Sequence, residues 1–236
     1  MVLDHITVIL VEPHHSGNIG SVCRVCKNMG ISNVVLVNPQ VDYLSDDVFR
    51  LGWASGDIIQ SMQCVDTLEA AVSGMQVVVG TTMRRRKASF PLFTPKEVVP
   101  MLLDVANTHQ NVALVFGREA NGLLESELNQ CNILSTIPTH SMRPAINLAQ
   151  AVTIYLYEIF QEATKTRTPY NWQLAKKIEV EKMYEQLLIA INTLPFNTRK
   201  GSVGFLNLFR RVLNRTPLED RDVRLFFKLF KLIEFK

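Results

Sequence analysis

Three segments of the chain carry polar side chains of types that take part in group-transfer chemistry. Residues 18–24 (Asn-Ile-Gly-Ser-Val-Cys-Arg) contain an asparagine and an arginine, and residues 116–123 contain a Gly-Arg-Glu triplet. An asparagine at position 147 follows the Ile137-Pro138 pair. Each segment ends or follows an apolar run of β type and turns through glycine, proline or asparagine into a helical pattern. We therefore treat the three segments as parts of one candidate site.

The composition of the first segment is not that of a nucleotide phosphate loop. It lacks the lysine and the Ser/Thr of a Walker A loop, and its Gly17-x-x-Gly20 spacing is not G-x-G-x-x-G. In the second segment, Gly117 and Gly122 allow the backbone to approach a ligand closely, so that amides and carbonyls can read an adenine edge. The pattern favours a ligand held by backbone groups.

In this order, the three segments resemble the three motifs of the SpoU branch of the SPOUT RNA methyltransferases. The resemblance implies an α/β fold with a parallel sheet, a deep C-terminal trefoil knot and a small all-helical C-terminal extension. It implies transfer of a methyl group from S-adenosyl-L-methionine to a ribose 2′-hydroxyl, by a homodimer that binds RNA across two knotted subunits. The resemblance covers nearly the whole chain. It is strongest with the bacterial members of the family that methylate a pyrimidine in the tRNA anticodon loop.

The resemblance also implies roles for the site residues. Arg24 acts at the 2′-hydroxyl, with Asn18 and Asn147 nearby. Because a guanidinium normally keeps its proton, two roles are open: a transient general base, or electrostatic stabilisation of the developing alkoxide. Neither role needs a metal, since the sulfonium already supplies a good leaving group. Eight residues are expected to contact the cofactor, largely through their backbone. They are Thr81, Thr82, Met83, Gly117, Ile137, Pro144, Ala145 and Ile146.

Four further motif positions are expected to shape the site: Gly20, Glu119, Gly122 and Pro138. The third motif departs from the family pattern. Residues 144–147 read Pro-Ala-Ile-Asn where relatives usually show Ser-Leu-Asn, so a hydroxyl that is common in the family is missing here.

Basic residues predict where RNA binds. Residues 84–87 are four consecutive cations after an apolar run, at the strand end where α/β sheets place ligands. Residues 1–164 carry 10 Lys+Arg against 15 Asp+Glu, whereas residues 165–236 carry 15 against 7. Such a basic segment is typical of phosphate-binding surfaces and also of solvated helices with lysine-rich faces. The arginines expected to contact tRNA are Arg84, Arg86, Arg118, Arg210 and Arg211.

Composition sets further bounds. With 236 residues, of which 47% are hydrophobic, the chain can form one large or two small domains. No apolar run approaches the ~20 residues that span a bilayer, so no membrane association is expected. The four cysteines show no disulfide-framework spacing, which favours a cytoplasmic protein. Cys23-x-x-Cys26 has no second pair to complete a zinc site, so both are interpreted as small apolar residues.

The hydrophobic pattern predicts two parts. Residues 1–164 form the methyltransferase domain, whose continuous apolar runs predict a parallel sheet covered on both faces. Residues 165–236 form a basic helical domain that binds tRNA, after a linker at 166–170. The predicted strands are 6–11, 34–37, 77–81, 112–116 and 133–137, and the predicted helices are 16–29, 67–73, 94–105, 147–162, 180–191 and 205–213.

The last helix and the tail aromatics are predicted from local signals. Thr216-Pro-Leu-Glu219 reads as a capping box with proline at the first helical position, so a final helix should begin there. Phenylalanines recur at helical spacing and are expected in a core or a dimer contact. They are Phe205, Phe209, Phe226, Phe227 and Phe230.

Other functions remain open from the sequence. The same chemistry on ribosomal RNA is one, because SpoU-like motifs do not encode the substrate. A non-catalytic RNA-binding knot protein is another, motivated by the missing hydroxyl. An unrelated nucleotide-binding α/β protein is disfavoured, because no phosphate loop is present.

Overall fold

A computed structural model describes residues 2–83, 91–140, 145–164, 173–194 and 201–234. Its described strands pair only in parallel, in the order β3-β2-β1-β6-β4-β7-β5 once they are numbered along the chain. They are β1 (Ile6–Val11), β2 (Asn33–Val37), β3 (Gln63–Val65), β4 (Val77–Thr81), β5 (Leu92–Phe93), β6 (Val112–Phe116) and β7 (Ile133–Ser135).

The helices follow a 3₁₀ turn at Val2–His5. They are α1 (Ser16–Asn28), α2 (Asp46–Leu51), α3 (Gly56–Ser61), α4 (Leu68–Val72), α5 (Pro95–Ala106), α6 (Glu125–Leu128), α7 (Leu148–Ala163), α8 (Lys177–Thr193), α9 (Gly201–Leu213) and α10 (Asp220–Glu234). No described helix is long and apolar enough to cross a membrane.

The central strands are apolar throughout because both faces of the sheet are buried. All six residues of β1 are buried, and alternate ones point to opposite sides. Ile6, Val8 and Leu10 pack with α1, α5 and α7, whereas Ile9 and Val11 pack with α4 and α6. The predicted two-sided parallel sheet is confirmed, and the prediction at 133–137 is two residues too long.

Glycines fix the position of α1. The helix ends one residue before the expected Met29, and Gly30 follows with φ +70°, the left-handed conformation that a helix-terminating glycine adopts. A Cβ on Gly20 would lie 2.3 Å from the Val48 carbonyl oxygen. Gly20 is therefore structural, as expected, because α2 crosses α1 at backbone contact distance.

The helical tail has its own apolar core and is tied to the α/β part. The five tail phenylalanines pack in this core, which confirms the core alternative. The backbone N–H of Lys177 donates to the Met75 carbonyl at 2.7 Å, and Asn214 Nδ2 donates to the Cys131 carbonyl at 3.4 Å.

The predicted start of the last helix is wrong. It begins at Asp220, because Leu218 and Glu219 lie in an antiparallel pairing with residues 173–175. The Ala175 N–H donates to the Leu218 carbonyl at 2.9 Å, and the Asp220 N–H donates to the Gln173 carbonyl at 2.8 Å. The proposed linker at 166–170 lies outside the described residues.

Candidate active site

An open cleft lies at the carboxyl ends of β4, β6 and β7. It holds about 800 Å³ of empty space, counted out to solvent. Its walls are the loops that follow the three strands and the start of α7. The residues that line it are Thr81, Thr82, Met83, residues 116–123, Ser135, Ile137, Ala145, Ile146, Leu148, Ala151 and Tyr155.

The structure brings most of the expected cofactor residues to this cleft. Thr81, Thr82, Met83, Gly117, Ile137, Ala145 and Ile146 all line it. Pro144 and the two loop arginines, Arg84 and Arg86, lie outside the described residues.

The floor of the cleft carries a pair of hydroxyls that the sequence analysis missed. Tyr155 Oη donates to Ser135 Oγ at 2.7 Å, and Ser135 Oγ donates to the Phe93 carbonyl at 2.9 Å. Burial raises the pKa of Tyr155, so its hydroxyl stays protonated. Tyr155 lies on an apolar helical face that reads as ordinary core, so only the fold reveals this contact.

The loop after β6 is the tightest wall of the cleft. A Cβ on Gly117 would lie 2.2 Å from the Gly122 carbonyl carbon and 2.3 Å from the Leu123 nitrogen. The Gly122 N–H donates to the Arg118 carbonyl at 2.8 Å, and Gly122 itself has φ +66°. Only glycine fits both positions without strain, so the backbone of this loop faces the cleft directly.

Arg118 holds this loop from behind. Its guanidinium contacts Glu12 at 2.8 Å and Glu127 at 2.9 and 3.0 Å, and the side chain is 11% exposed. The hydrogen bond from Arg118 lowers the pKa of Glu12, and the same bond raises the pKa of Arg118. The expectation that Arg118 contacts RNA is therefore revised: its donors are committed within the subunit.

We predict that Arg118→Met destabilises the protein by about 3 kcal/mol, because it leaves the partly buried carboxylates of Glu12 and Glu127 without their cation. Chemical denaturation measures this loss, with Arg50→Met as a control at an exposed surface pair with Asp47.

The pH dependence provides a second check on the Arg118 ion pair. The pKa of Glu12 is lowered in the folded state, so its contribution is present above the unfolded value of about 4.5 and is lost as the pH falls through the lowered value. Arg118→Met should flatten this acid-side loss. If the stability of the variant fell with decreasing pH as steeply as that of the wild type, the pairing of Glu12 with Arg118 would be contradicted.

A chain of hydrogen bonds joins the three motifs at the edge of the cleft. Asn147 Nδ2 donates to Asn18 Oδ1 at 3.0 Å, and Asn18 Nδ2 donates to Glu119 Oε1 at 2.9 Å. The His14 N–H donates to the other Glu119 oxygen at 3.1 Å. Asn147 also caps α7, since its Oδ1 accepts from the Ala149 N–H. Asn18 and Asn147 thus lie within hydrogen-bonding distance of each other.

Glu119 determines which atoms donate and which accept in this series of hydrogen bonds. Burial raises its pKa, but hydrogen bonds from Asn18 and from the Glu119 and His14 backbone outweigh this, so the net pKa is lowered. The ionised carboxylate only accepts, which orients the Asn18 amide. Asn18 then presents its oxygen to Asn147.

Arg24 is not brought into the cleft of its own chain. It lies six residues after Asn18, about 9 Å further along the helix axis, and it is exposed. None of the described residues that line the cleft belongs to α1. Within the described ranges, Arg24 makes no ion pair and no side-chain hydrogen bond.

The two tail arginines differ in their surroundings. Arg210 contacts Glu181 at 2.5 Å and lies 4.2 Å over the Tyr184 ring, with a side chain that is 19% exposed. Its expected role in RNA binding is therefore revised to an internal one. Arg211 is half-buried and forms no ion pair with any residue that the structure describes.

The cysteine pair of α1 is apolar core, as interpreted. Cys23 and Cys26 are fully buried, and burial raises the pKa of Cys23 to about 12. Neither thiol is therefore available as a thiolate at neutral pH.

The fold and the cleft place the chain in the class of SpoU-type methyltransferases. The model of the SpoU rRNA Methylase family matches residues 5–157. The chain belongs to this family, and the resemblance inferred from the three motifs is confirmed.

Individual relatives agree with this assignment. The tRNA (cytidine/uridine-2′-O-)-methyltransferase TrmJ of Photorhabdus laumondii is 34% identical over an alignment of 239 positions, which covers 98% of each chain. The crystal structure of TrmJ from Z. mobilis superimposes with a TM-score of 0.81 at 22% identity, covering 97% of this chain and 98% of that one. The SpoU methyltransferase AviRb from Streptomyces viridochromogenes, solved in complex with AdoMet, has a TM-score of 0.52 at 22% identity and covers 68% of this chain and 61% of its own.

Proposed function

We propose that this protein transfers a methyl group from S-adenosyl-L-methionine to a ribose 2′-hydroxyl of tRNA, at a pyrimidine of the anticodon loop. The observation that carries the proposal is the chain of hydrogen bonds from Asn147 through Asn18 to Glu119 beside an open cleft. Similarity to TrmJ over the full length of both chains supports tRNA as the substrate. A tRNA substrate would place the enzyme in the cytoplasm.

The chemistry of the cleft fits S-adenosyl-L-methionine. Its walls are mainly backbone and apolar side chains, as suits an adenine and a thioether, and Gly117 allows close approach of the main chain. The cofactor, when bound, supplies an activated methyl group on a positively charged sulfur. Gly117, Ile137, Ala145 and Ile146 would hold it, and the protonated Tyr155 hydroxyl closes the floor beneath it.

Side chains of the protein would then act on the ribose. Asn18 and Asn147 would orient the 2′-hydroxyl, because Glu119 and the α7 cap keep both amides fixed. Arg24 would stabilise negative charge as the hydroxyl proton leaves, or accept that proton transiently. The main contribution of these side chains is alignment of oxygen, methyl carbon and sulfur.

The position of Arg24 supports a homodimer with shared sites. Since Arg24 lies away from its own cleft, it would act in the cleft of a second copy. Tyr157 and Phe160 on α7 are 50% and 38% exposed, which provides apolar surface for such a contact.

Mixed dimers test this arrangement. We predict that refolded or co-expressed mixtures of Arg24→Ala and Gly117→Ala chains recover roughly one quarter of wild-type activity, because half of the dimers are mixed and each has one complete site. Mixtures that stay inactive, although mass measurements show mixed dimers, would contradict shared sites.

Two features of the architecture belong to the same proposal. A trefoil knot would be completed just before α7, supported by the packing of α7 against both α1 and α5. Residues 1–164 and 165–236 would be a methyltransferase domain and a tRNA-binding domain, supported by the separate apolar core of α8, α9 and α10.

Two tail cations, the half-buried Arg211 and the exposed Arg215, are expected to bind phosphate. We predict that the double variant Arg211→Gln/Arg215→Gln weakens tRNA binding and makes the slope of log K against log salt shallower by about 1.4–1.8, the release expected for two phosphate contacts. The salt dependence of tRNA affinity measures this. Arg210→Gln is the matched control: it should lower thermal stability through Glu181 and leave the slope unchanged.

Methyl transfer to different RNAs tests the function itself. Labelled S-adenosyl-L-methionine should methylate unmodified tRNA and leave ribosomal RNA unlabelled. Label in ribosomal RNA alone would support methyl transfer to RNA but would show that tRNA is not the substrate. Measurable cofactor binding with no label in either RNA would contradict the proposal for these substrates, and the absence of cofactor binding would favour a non-catalytic knot protein.

A further inference from the structure

The turn between α2 and α3 presents a large exposed aromatic. Trp53 follows the last turn of α2, and its side chain is 72% exposed, more than any other large hydrophobic side chain in the described ranges. A single exposed hydrophobic residue is common on protein surfaces, so the case for an interaction rests on the surroundings of Trp53.

The backbone under Trp53 is rigid. The Gly52 N–H donates to the Val48 carbonyl at 2.8 Å, and the Ser55 N–H and Oγ donate to the Gly52 carbonyl at 2.9 and 2.6 Å. Ser55 is fully buried. Ala54, between them, has φ +61°. The indole therefore projects from a fixed turn, and little conformational entropy is lost when a partner binds.

This turn lies beside Arg24. A Cβ on Gly20 would lie 3.0 Å from the Gly52 nitrogen, which places the start of the turn on α1, one helical turn before Arg24. On the other side, Lys27 Nζ contacts Asp57 in α3 at 2.5 Å, less than one turn after Arg24. These two contacts show that the turn carrying Trp53 lies alongside the segment of α1 that contains Arg24.

Charge distinguishes Arg24 from its neighbours. Lys27 is paired with Asp57 and Arg50 with Asp47, so these two cations are locally neutralised. Arg24 and the Trp53 indole N–H have no partner in the part of the chain that the structure describes. An unpaired guanidinium beside an unpaired aromatic face matches a nucleotide, whose phosphate or hydroxyl takes the cation and whose base stacks on the ring.

We propose that Trp53 is a stacking platform for an unpaired base of the RNA substrate, at or next to the nucleotide on which Arg24 acts. The inference rests on the proposed function and names a contact that would position the substrate. Stacking does not depend on base identity, because every base has a π-face. Trp53 therefore contributes affinity and orientation, and it requires the target to be single-stranded.

Binding of an unmodified anticodon stem-loop RNA tests the platform. Trp53→Ala should weaken binding by about 5- to 100-fold, the range of one lost base stack, and Trp53→Phe should recover most of it. Phe49→Ala, at a 37% exposed aromatic of α2, is the matched control and should bind as wild type. The affinity for S-adenosyl-L-methionine should be unchanged in all three variants.

Fluorescence gives an independent readout. The chain has two tryptophans, Trp53 and Trp172, so a Trp172→Phe variant reports on Trp53 alone. The stem-loop should quench this emission, and a fully paired duplex of the same loop sequence should not.

Three outcomes would overturn the platform. They are wild-type binding by Trp53→Ala, quenching by duplex and stem-loop alike, and a loss of dimer mass in Trp53→Ala, which would make the indole a contact between subunits. A wild-type enzyme that methylates no tRNA would refute the proposed function instead, a result read separately from these.

Discussion

Replacing Arg24 with alanine is expected to lower methyl transfer by about 10²- to 10⁴-fold, the range for a lost proton-transfer or charge-stabilising group. The affinity for S-adenosyl-L-methionine should stay at the wild-type value, because no described residue of α1 lines the cleft. Single-turnover methylation and calorimetric cofactor titration measure the two quantities separately. Arg24→Lys keeps the charge but loses the planar fork, so it should recover only part of the rate.

The surface around Arg24 provides the control for this variant. Arg50 is also an exposed cation, one helix away, but it is paired with Asp47. Arg50→Ala should methylate at the wild-type rate. Equal losses in the two variants would mean that surface charge in general drives RNA binding, and wild-type turnover by Arg24→Ala would remove Arg24 from the mechanism.

Gly117→Ala is expected to weaken cofactor binding by about 100-fold or more, the scale of a 1 Å misplacement in a site. A Cβ there would lie 2.2–2.6 Å from backbone atoms of Gly122 and Leu123, and backbone cannot rotate away as a flexible side chain can. The loop must therefore move out of the position that forms the cleft wall. Calorimetric titration with S-adenosyl-L-methionine measures the loss.

Gly56→Ala is the matched control for this loop. Nothing lies within 4 Å of a Cβ at Gly56, which is in a short helix away from the cleft. This variant should bind the cofactor normally and unfold at or slightly above the wild-type temperature. Normal cofactor affinity in Gly117→Ala would show that the loop does not contact the ligand.

Sequence alone predicts the sheet of this protein well because its signal is strong and local. Central strands such as β1 and β6 are continuous apolar runs, and burial on both faces requires this composition. The short elements lack such a signal. The strand β3 is Gln-Cys-Val and exists because it pairs with β2, so only the assembled sheet defines it.

The residues of the candidate site likewise divide into those that local sequence identifies and those that it does not. Gly117 and Asn147 stand out in motifs that similarity can identify. The role of Arg118 depends on Glu12, 106 positions away, and that of Arg210 on Glu181, 29 positions away. Local sequence cannot show whether an arginine has such a partner, so sequence alone predicts an RNA contact for both.

The most direct test of the central claim is the chemical identity of the methylated nucleoside. Unmodified tRNA is methylated, digested to nucleosides and analysed by mass spectrometry, beside an anticodon stem-loop whose target ribose carries 2′-deoxy in place of the hydroxyl. We expect a single 2′-O-methylpyrimidine from tRNA and no methylation of the deoxy substrate. A methyl group on a base, or full methylation of the deoxy substrate, would contradict it.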